Sequence, residues 1–227
     1  MPTCGTRRLV CTDRLERKLE AEGYVCVAGV DEAGRGSLFG PVFAAAVILP
    51  ACVTIEGIRD SKQLPPTQRS ILAHQIAERA TTWAVASATA EEIDRINILQ
   101  ASRLAMKRAI LMLDPAPDYL LIDAVTVDLP VPQQALIKGD ARCRCIAAAS
   151  ILAKVHRDKC MHQWDATYPQ YGLSRSKGYP TPEHLLALKL YGPTPFHRLT
   201  YEPVRKLCSN HQLDLRLTAG GEVGRCP

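Results

Sequence analysis

Val25-Cys26-Val27-Ala28-Gly29-Val30-Asp31-Glu32-Ala33-Gly34-Arg35-Gly36 is the stretch on which the reading of this chain turns. It opens with an apolar, β-branched run, the pattern of a buried strand. The run then breaks into two adjacent acids and a glycine-rich turn. Neighbouring side chains on a strand point to opposite faces. One of Asp31 and Glu32 is therefore expected at the last residue of the strand, the other where the chain has begun to turn. A carboxylate at the end of a core strand is unfavourable without a partner. A divalent cation suits several such groups at once, and hard oxygens suit magnesium or manganese. Gly34 and Gly36, flanking Arg35, let the backbone come within hydrogen-bond reach of a ligand.

Working outward, residues 1–22 read as a polar lead-in with a short helix over Asp13 to Ala21 that ends at Gly23. After the glycine turn, Pro41 to Leu49 reads as a second strand. The short connection makes the pair an antiparallel hairpin. Asp60-Ser61-Lys62 falls in a loop before Pro65-Pro66. A helix is expected from about Thr67 to Ala80, a third strand over Trp83 to Ala88 and an unbroken helix from Glu91 to Leu113. Tyr119 to Asp123 reads as a buried strand ending in an acid, and Gln133 to Ile137 as a fifth strand leading into Lys138-Gly139-Asp140. Helices follow over Ala147 to about Trp164 and over Pro182 to Leu190. The chain from Gly192 reads as mostly irregular, and its last ten residues as loose.

Composition sets bounds without choosing a function. The 227 residues suit one domain with small appendages, and 47% apolar content is ordinary for a globular protein. The net charge is +5, but between Lys138 and Arg198 ten basic residues face four acids, a bias that fits a polyanionic partner. Nine cysteines at scattered positions do not form a disulfide framework, and Cys143 and Cys145 lack the spacing and the second pair of a zinc knuckle. All nine are expected as reduced thiols in a cytoplasmic protein. Charges interrupt the first twenty residues, against a secretory signal, and no apolar stretch reaches the roughly 20 residues of a membrane span.

Three strands thus lead into acids: Asp31 with Glu32, Asp123 and Asp140. A lone aspartate there is readily a turn former. Three from separate strands, outside the strand ends where α/β sheets place their ligands, point to one site. Four convergent carboxylates repel one another, and two divalent cations balance them. Such a site suits in-line displacement at a phosphodiester. A dinucleotide site fits poorly: Gly34-x-Gly36-x-x-x-Gly40 is not the required spacing, a strand follows it, and two acids stand where pyrophosphate would lie.

Val27 to Gly36, Asp60-Ser61-Lys62, Leu121-Ile122-Asp123, Lys138-Gly139-Asp140, Ala147 to Val155 with Arg157-Asp158, and Ser176-Lys177-Gly178-Tyr179-Pro180-Thr181 together resemble the bacterial type 2 ribonuclease H family, ribonuclease HII. The resemblance covers roughly residues 24 to 204 in the same order. It implies an α/β fold of the RNase H-like kind: a mixed five-stranded sheet flanked by helices, with a helical C-terminal part. The expected organisation is a lead-in over 1–22, a catalytic domain over 23–206 and a flexible tail over 207–227. The resemblance implies hydrolysis of RNA in RNA–DNA hybrids with magnesium or manganese. It also implies incision of duplex DNA 5′ of single embedded ribonucleotides, leaving a 3′-hydroxyl and a 5′-phosphate, with roles in DNA repair and primer removal.

Carried over position by position, the metal-binding and catalytic acids fall on Asp31, Glu32, Asp123 and Asp140. Gly34, Arg35 and Gly36 fall on the turn that reads the ribose 2′-hydroxyl, the group that tells RNA from DNA. Tyr179 falls on the tyrosine that reads the RNA–DNA junction, and Lys62, Ser150 and Lys154 on phosphate contacts. Ser150 and Lys154 share a helix face at their i, i+4 spacing. The chain departs from the family pattern at Ser37, where proline often stands, at Ala124 for glycine, at Ala141 for serine and at Ser176 for histidine. His156, His162, His184 and His197 suggest no metal set, and the first two read as surface or substrate-side groups. A monomer is expected, with a sliding clamp a candidate partner for the tail.

Three other readings compete. The type 3 ribonuclease H typically has a substantial N-terminal domain and a different turn, against 22 leading residues and an intact Gly34-Arg35-Gly36. A catalytically silent hybrid-binding module has no need of four acids, which weaken phosphate binding without metal. A phosphatase of the aspartate-nucleophile type requires an Asp-x-Asp pair that is missing here.

Overall fold

Strand β1 (Val27–Ala33) is the centre of the sheet, and its sequence explains why. Val27, Ala28 and Val30 are buried, as expected of a strand covered on both faces. The computed structural model describes residues 11–208 apart from 52, 54, 59, 60, 62 and 63. Asp60, Lys62 and the tail beyond 208 lie outside the described residues. Within them, β1 is joined by β2 (Val42–Ile48), β3 (Thr82–Ala88), β4 (Tyr119–Asp123) and β5 (Gln133–Leu136). The order is β3-β2-β1-β4-β5. The β1–β2 and β2–β3 pairs are antiparallel, whereas β1–β4 and β4–β5 are parallel, so the sheet is mixed.

The helices are α1 (Arg14–Ala21), α2 (Pro66–Arg79), α3 (Ala90–Leu111), α4 (Arg144–Thr167), α5 (Leu173–Ser176) and α6 (Pro182–Tyr191). The unbroken helix expected from Glu91 is interrupted: Asn97 stands at φ 66, ψ 164, so α3 is two helical pieces end to end. Its first piece opens with a reciprocal cap, in which Thr89 Oγ1 accepts from the Glu92 N–H and Glu92 returns the bond to the Thr89 N–H. A further helical turn over 202–208 occupies part of the segment expected to be irregular.

By its internal packing the chain divides into two units. Among the described residues, the first comprises 11–35, 42–88 and 98–157, and so holds the whole sheet. Its core sets Ala33, Ala45 and Val47 of the sheet against Leu72, Ala73 and Ile76 of α2 and Ala148, Ala149, Ile151 and Leu152 of α4. At Gly29 the strand and α4 come so close that a Cβ would overlap the Cys145–Ile146 backbone. The second unit comprises 36–41, 89–97 and the chain from 158. Leu38, Phe39, Met161, Tyr171, Leu173, Ala187, Leu188 and Val204 form its core. Between β1 and β2 the chain enters this unit, where Leu38 N–H donates to Gly178 O and Gly40 N–H to Phe196 O, each at 2.8 Å.

Candidate active site

Asp31 does not end its strand. The pairing of β1 with β2 continues through Asp31↔Ala45, Glu32↔Ala44 and Ala33↔Phe43, so both acids lie inside β1. The pairing with β4 stops at Val30↔Ile122. The acids therefore sit where the parallel side of the sheet has ended and the antiparallel side has not. Alternation then sends them to opposite faces. Asp31 shares the parity of Ala33, which packs with α4, while Glu32 takes the other face.

Asp31 is 5% exposed. One carboxyl oxygen accepts the Glu32 N–H at 2.7 Å, and the group also meets the Ser150 hydroxyl of α4. Ser150 in turn lies 2.9 Å from the Ser61 hydroxyl. Arg69 of α2 fastens the Ser61 loop, donating from Nε to Ser61 O and from a terminal nitrogen to Leu64 O. Ser150 is thus buried with its hydroxyl turned toward Asp31 and Ser61, and Lys154, one turn on, is half-buried. Burial raises the Asp31 pKa well above the carboxylate range, and the charges of Glu32 and Asp123 add to the effect. Burial likewise raises the Glu32 pKa, with Asp123 adding to it, against the Arg35 guanidinium 3.3 Å away.

Asp123 ends β4, where the sequence places it. Its Oδ1 accepts the Gly139 N–H at 2.7 Å, which ties β4 to the turn after β5. Asp140 is not at a strand end: it lies in the 3-10 turn Gly139–Ala141, entered through Lys138 at φ 54. It is 5% exposed, one residue from the group that binds Asp123. Ala124 stands at φ 57, the left-handed region. That conformation accounts for the glycine usual there, and the alanine carries the strain. Among the described residues, three metal-ligating atoms come within 4.8 Å of one another only at Glu16, Cys143 and Cys145.

In the glycine turn, Gly34 has φ +98, and a Cβ there would overlap the Arg157 side chain. Arg157 is fully buried and forms part of the wall of that turn. In the second unit, the Gly36 backbone approaches the Tyr179 ring, which stands 4.0 Å from the place of a Cβ. Ser37, in place of the usual proline, is fully buried and donates to Phe39 O. Ser176, in place of histidine, accepts the Gly178 N–H.

Two histidines gain a role that their sequence positions do not show. His184 and His197 are fully buried. The Thr194 N–H donates to His197 Nδ1 at 2.9 Å, which leaves the proton on His197 Nε2. His197 Nε2 then faces His184 Nε2 at 3.2 Å, and His184 Nδ1 faces Tyr179 O at 2.9 Å. One tautomer of each ring satisfies the whole relay, which ends on the backbone of Tyr179. His162, in contrast, pairs with Lys177 Nζ at 2.8 Å, and His156 packs against Trp83.

A family model for ribonuclease HII matches residues 28–204. The chain belongs to the ribonuclease HII family. The ribonuclease HII of Solibacter usitatus is 58% identical over 215 residues, 92% of this chain and 94% of that protein. Among solved structures, ribonuclease H2 from Pyrococcus horikoshii OT3 is similar at 30% identity and TM-score 0.69, over 82% of this chain and 98% of that one. The RNase HII in the PCNA complex from Archaeoglobus fulgidus is 26% identical at TM-score 0.66, over 80% and 96%. The fold is that of an RNase H, and the chain, as a member of this family, is a nuclease that hydrolyses RNA paired with DNA. No helix among its described residues is long and apolar enough to cross a membrane.

Proposed function

We propose that this protein incises duplex DNA 5′ of single embedded ribonucleotides as well as cutting the RNA of longer hybrids, leaving 3′-hydroxyl and 5′-phosphate ends. The observation that carries the reading is the coupling of Asp31, Glu32 and Asp123: burial raises the pKa of Asp31 and of Glu32, and the Asp123 charge adds to both. Asp140 joins them through the turn bonded to Asp123. The donors are hard oxygens and their combined charge is negative, so the set fits divalent cations. Magnesium or manganese ions, when bound, supply an activated water and a counter-charge for the leaving oxygen.

The protein's own groups do the rest. Ser150 and the Glu32 N–H aim Asp31, and the Gly139 N–H aims Asp123. The backbone of Gly34, Arg35 and Gly36 reads the 2′-hydroxyl, because bare backbone can approach a sugar edge. Tyr179 packs on the deoxyribose that follows the ribonucleotide, its main chain fixed by His184. Lys62 and Lys154 contact phosphates, whereas Ser150, expected there too, is buried with its hydroxyl between Asp31 and Ser61 and acts through the acid. A role in ribonucleotide removal from DNA follows, and contact with a sliding clamp is supported by the Archaeoglobus complex.

The test is cleavage of a labelled DNA duplex holding one ribonucleotide, beside an all-DNA duplex, with magnesium or manganese. A single cut 5′ of the ribonucleotide is expected, lost by at least roughly 10³-fold in Asp31→Asn and Asp140→Asn. Equal cutting of the all-DNA duplex would remove the role given to Gly34-Arg35-Gly36. Undiminished hydrolysis by both variants would remove the acidic site itself.

A further inference from the structure

Away from the acids that face the substrate, the first unit buries a second group of metal-ligating atoms. Thr12 bridges to Cys143 in parallel, with Thr12 N–H donating to Arg142 O and Arg144 N–H to Thr12 O. This lays the segment that carries Cys11 and the start of α1 against the start of α4. Cys143 and Cys145 are 0% and 1% exposed, and their sulfurs are 3.3 Å apart. Glu16, on α1, is 9% exposed and sends its carboxylate to the same place. One ligand atom from each of Glu16, Cys143 and Cys145 lies within 4.8 Å of the others.

The carboxylate is the unusual member. Its Oε1 accepts the Cys145 N–H at 2.9 Å, but its Oε2 is buried with no hydrogen-bond donor. A buried carboxylate oxygen without a partner is strongly unfavourable. Arg144, which lines the same space, directs one nitrogen to Val53 O at 2.7 Å and, at 4.0 Å, to Asp13, and its Nε is likewise buried without an acceptor. Beside Glu16 and Cys145, though not against Cys143 or Cys11, a cavity of about 20 Å³ opens, lined by the charged Asp13, Arg17, Glu20 and Arg144 and by the apolar Val25, Val27, Leu49 and Ala51. That is room for one water or one ion. Cys11 is outside that group of three but on the segment bridged to Cys143; burial chiefly drives its pKa up to about 12, and the Cys143 and Glu16 charges add to it.

We propose that Glu16, Cys143 and Cys145, with Cys11 as fourth donor, form a tetrahedral site for zinc or a similar thiophilic divalent cation. Tetrahedral zinc with metal–sulfur bonds of ~2.3 Å holds its sulfurs about 3.8 Å apart, a small opening from the spacing seen. The two cysteines alone have the wrong spacing for a zinc knuckle, and the fold completes the set with donors from more than a hundred residues earlier in the chain. Binding displaces the thiol protons, so it tightens as pH rises. The site is structural: the Cys143 N–H donates to Gly139 O at 2.8 Å, so an ion here braces the turn that carries Asp140.

The test is a titration of Co²⁺ alone into reduced, metal-free, full-length protein, read in the near-ultraviolet and visible. A thiolate-to-cobalt charge-transfer band with tetrahedral visible bands is expected, saturating at one equivalent and displaced by zinc. It should persist in Asp31→Asn, which disables the carboxylate site, and vanish in Cys143→Ser and Cys145→Ser. Glu16→Gln, close to isosteric, should weaken binding by at least about ten-fold. If the cysteine variants fail to fold, zinc K-edge absorption on the wild type decides, with a sulfur shell at ~2.3 Å expected. An oxygen- and nitrogen-only shell, or no charge-transfer band, overturns the site.

Discussion

Asp31 carries opposing demands within one side chain. The Glu32 N–H and the Ser150 hydroxyl stabilise its charged form, while burial, Glu32 and Asp123 oppose it more strongly. Its folded-state pKa is therefore raised, and above the unfolded value near 3.9 the folded state binds more protons than the unfolded one. Stability from this group is therefore lost as pH rises out of the acid range, unless a cation restores it. Asp31→Asn keeps an oxygen for the Glu32 N–H and removes the charge. In the presence of a chelator at pH 8, the variant is expected to be more stable than wild type by on the order of 1 kcal/mol. The difference should narrow toward pH 5 and reverse with saturating magnesium. Thermal midpoints at the two pH values check it, and a variant less stable than wild type at pH 8 without metal would contradict the repulsion inferred here.

At the scale of elements, the relay from Thr194 through His197 and His184 to Tyr179 works only with both rings neutral. Burial, with His184 adding to it, depresses the His197 pKa to about 3. The unfolded ring titrates near 6.5, so between these values the unfolded state binds more protons and stability falls with falling pH. Opening free energies of the amides over 178–185, from hydrogen exchange, should drop by up to about 1.4 kcal/mol per pH unit below 6. Values independent of pH would mean that the relay does not hold Tyr179. How much of this was legible in the sequence follows from the range of the forces. The strand Tyr119–Asp123 was readable because its burial is written in its own residues. The break at Asn97 was not, because helical periodicity runs through it. The piece before the break is held in the second unit, where Asp94 accepts the N–H groups of Leu199 and Thr200. The strand-end rule placed Asp123 at the end of β4, but Asp31 lies inside β1, which runs on through Ala33 because β2 still pairs with it. Glu16 and Cys145 are bonded across 129 residues, beyond any local pattern.

For the whole molecule, the basic bias between Lys138 and Arg198, less Arg157 and Arg198, which are fully buried, should govern how substrate is held. Binding of a ribonucleotide-containing duplex, measured with Asp31→Asn so that no cut intervenes, is expected to weaken at least ten-fold from about 50 to 200 mM salt. A dissociation constant insensitive to salt would assign recognition to the sugar contacts alone. This charge pattern was visible in the sequence, whereas the division into two interleaved units was not, since it rests on contacts such as Arg198 Nε to Gly40 O across 158 residues. That interleaving has a consequence at the ribosome. The Gly36–Pro41 segment emerges long before Gly178, Phe196 and Arg198, to which it is bonded. At ordinary elongation rates the delay between Gly40 and Arg198 is roughly 10–30 s. Through that interval Leu38 and Phe39 have no core to enter, and a transcript cut short anywhere before codon 198 yields a chain that exposes them.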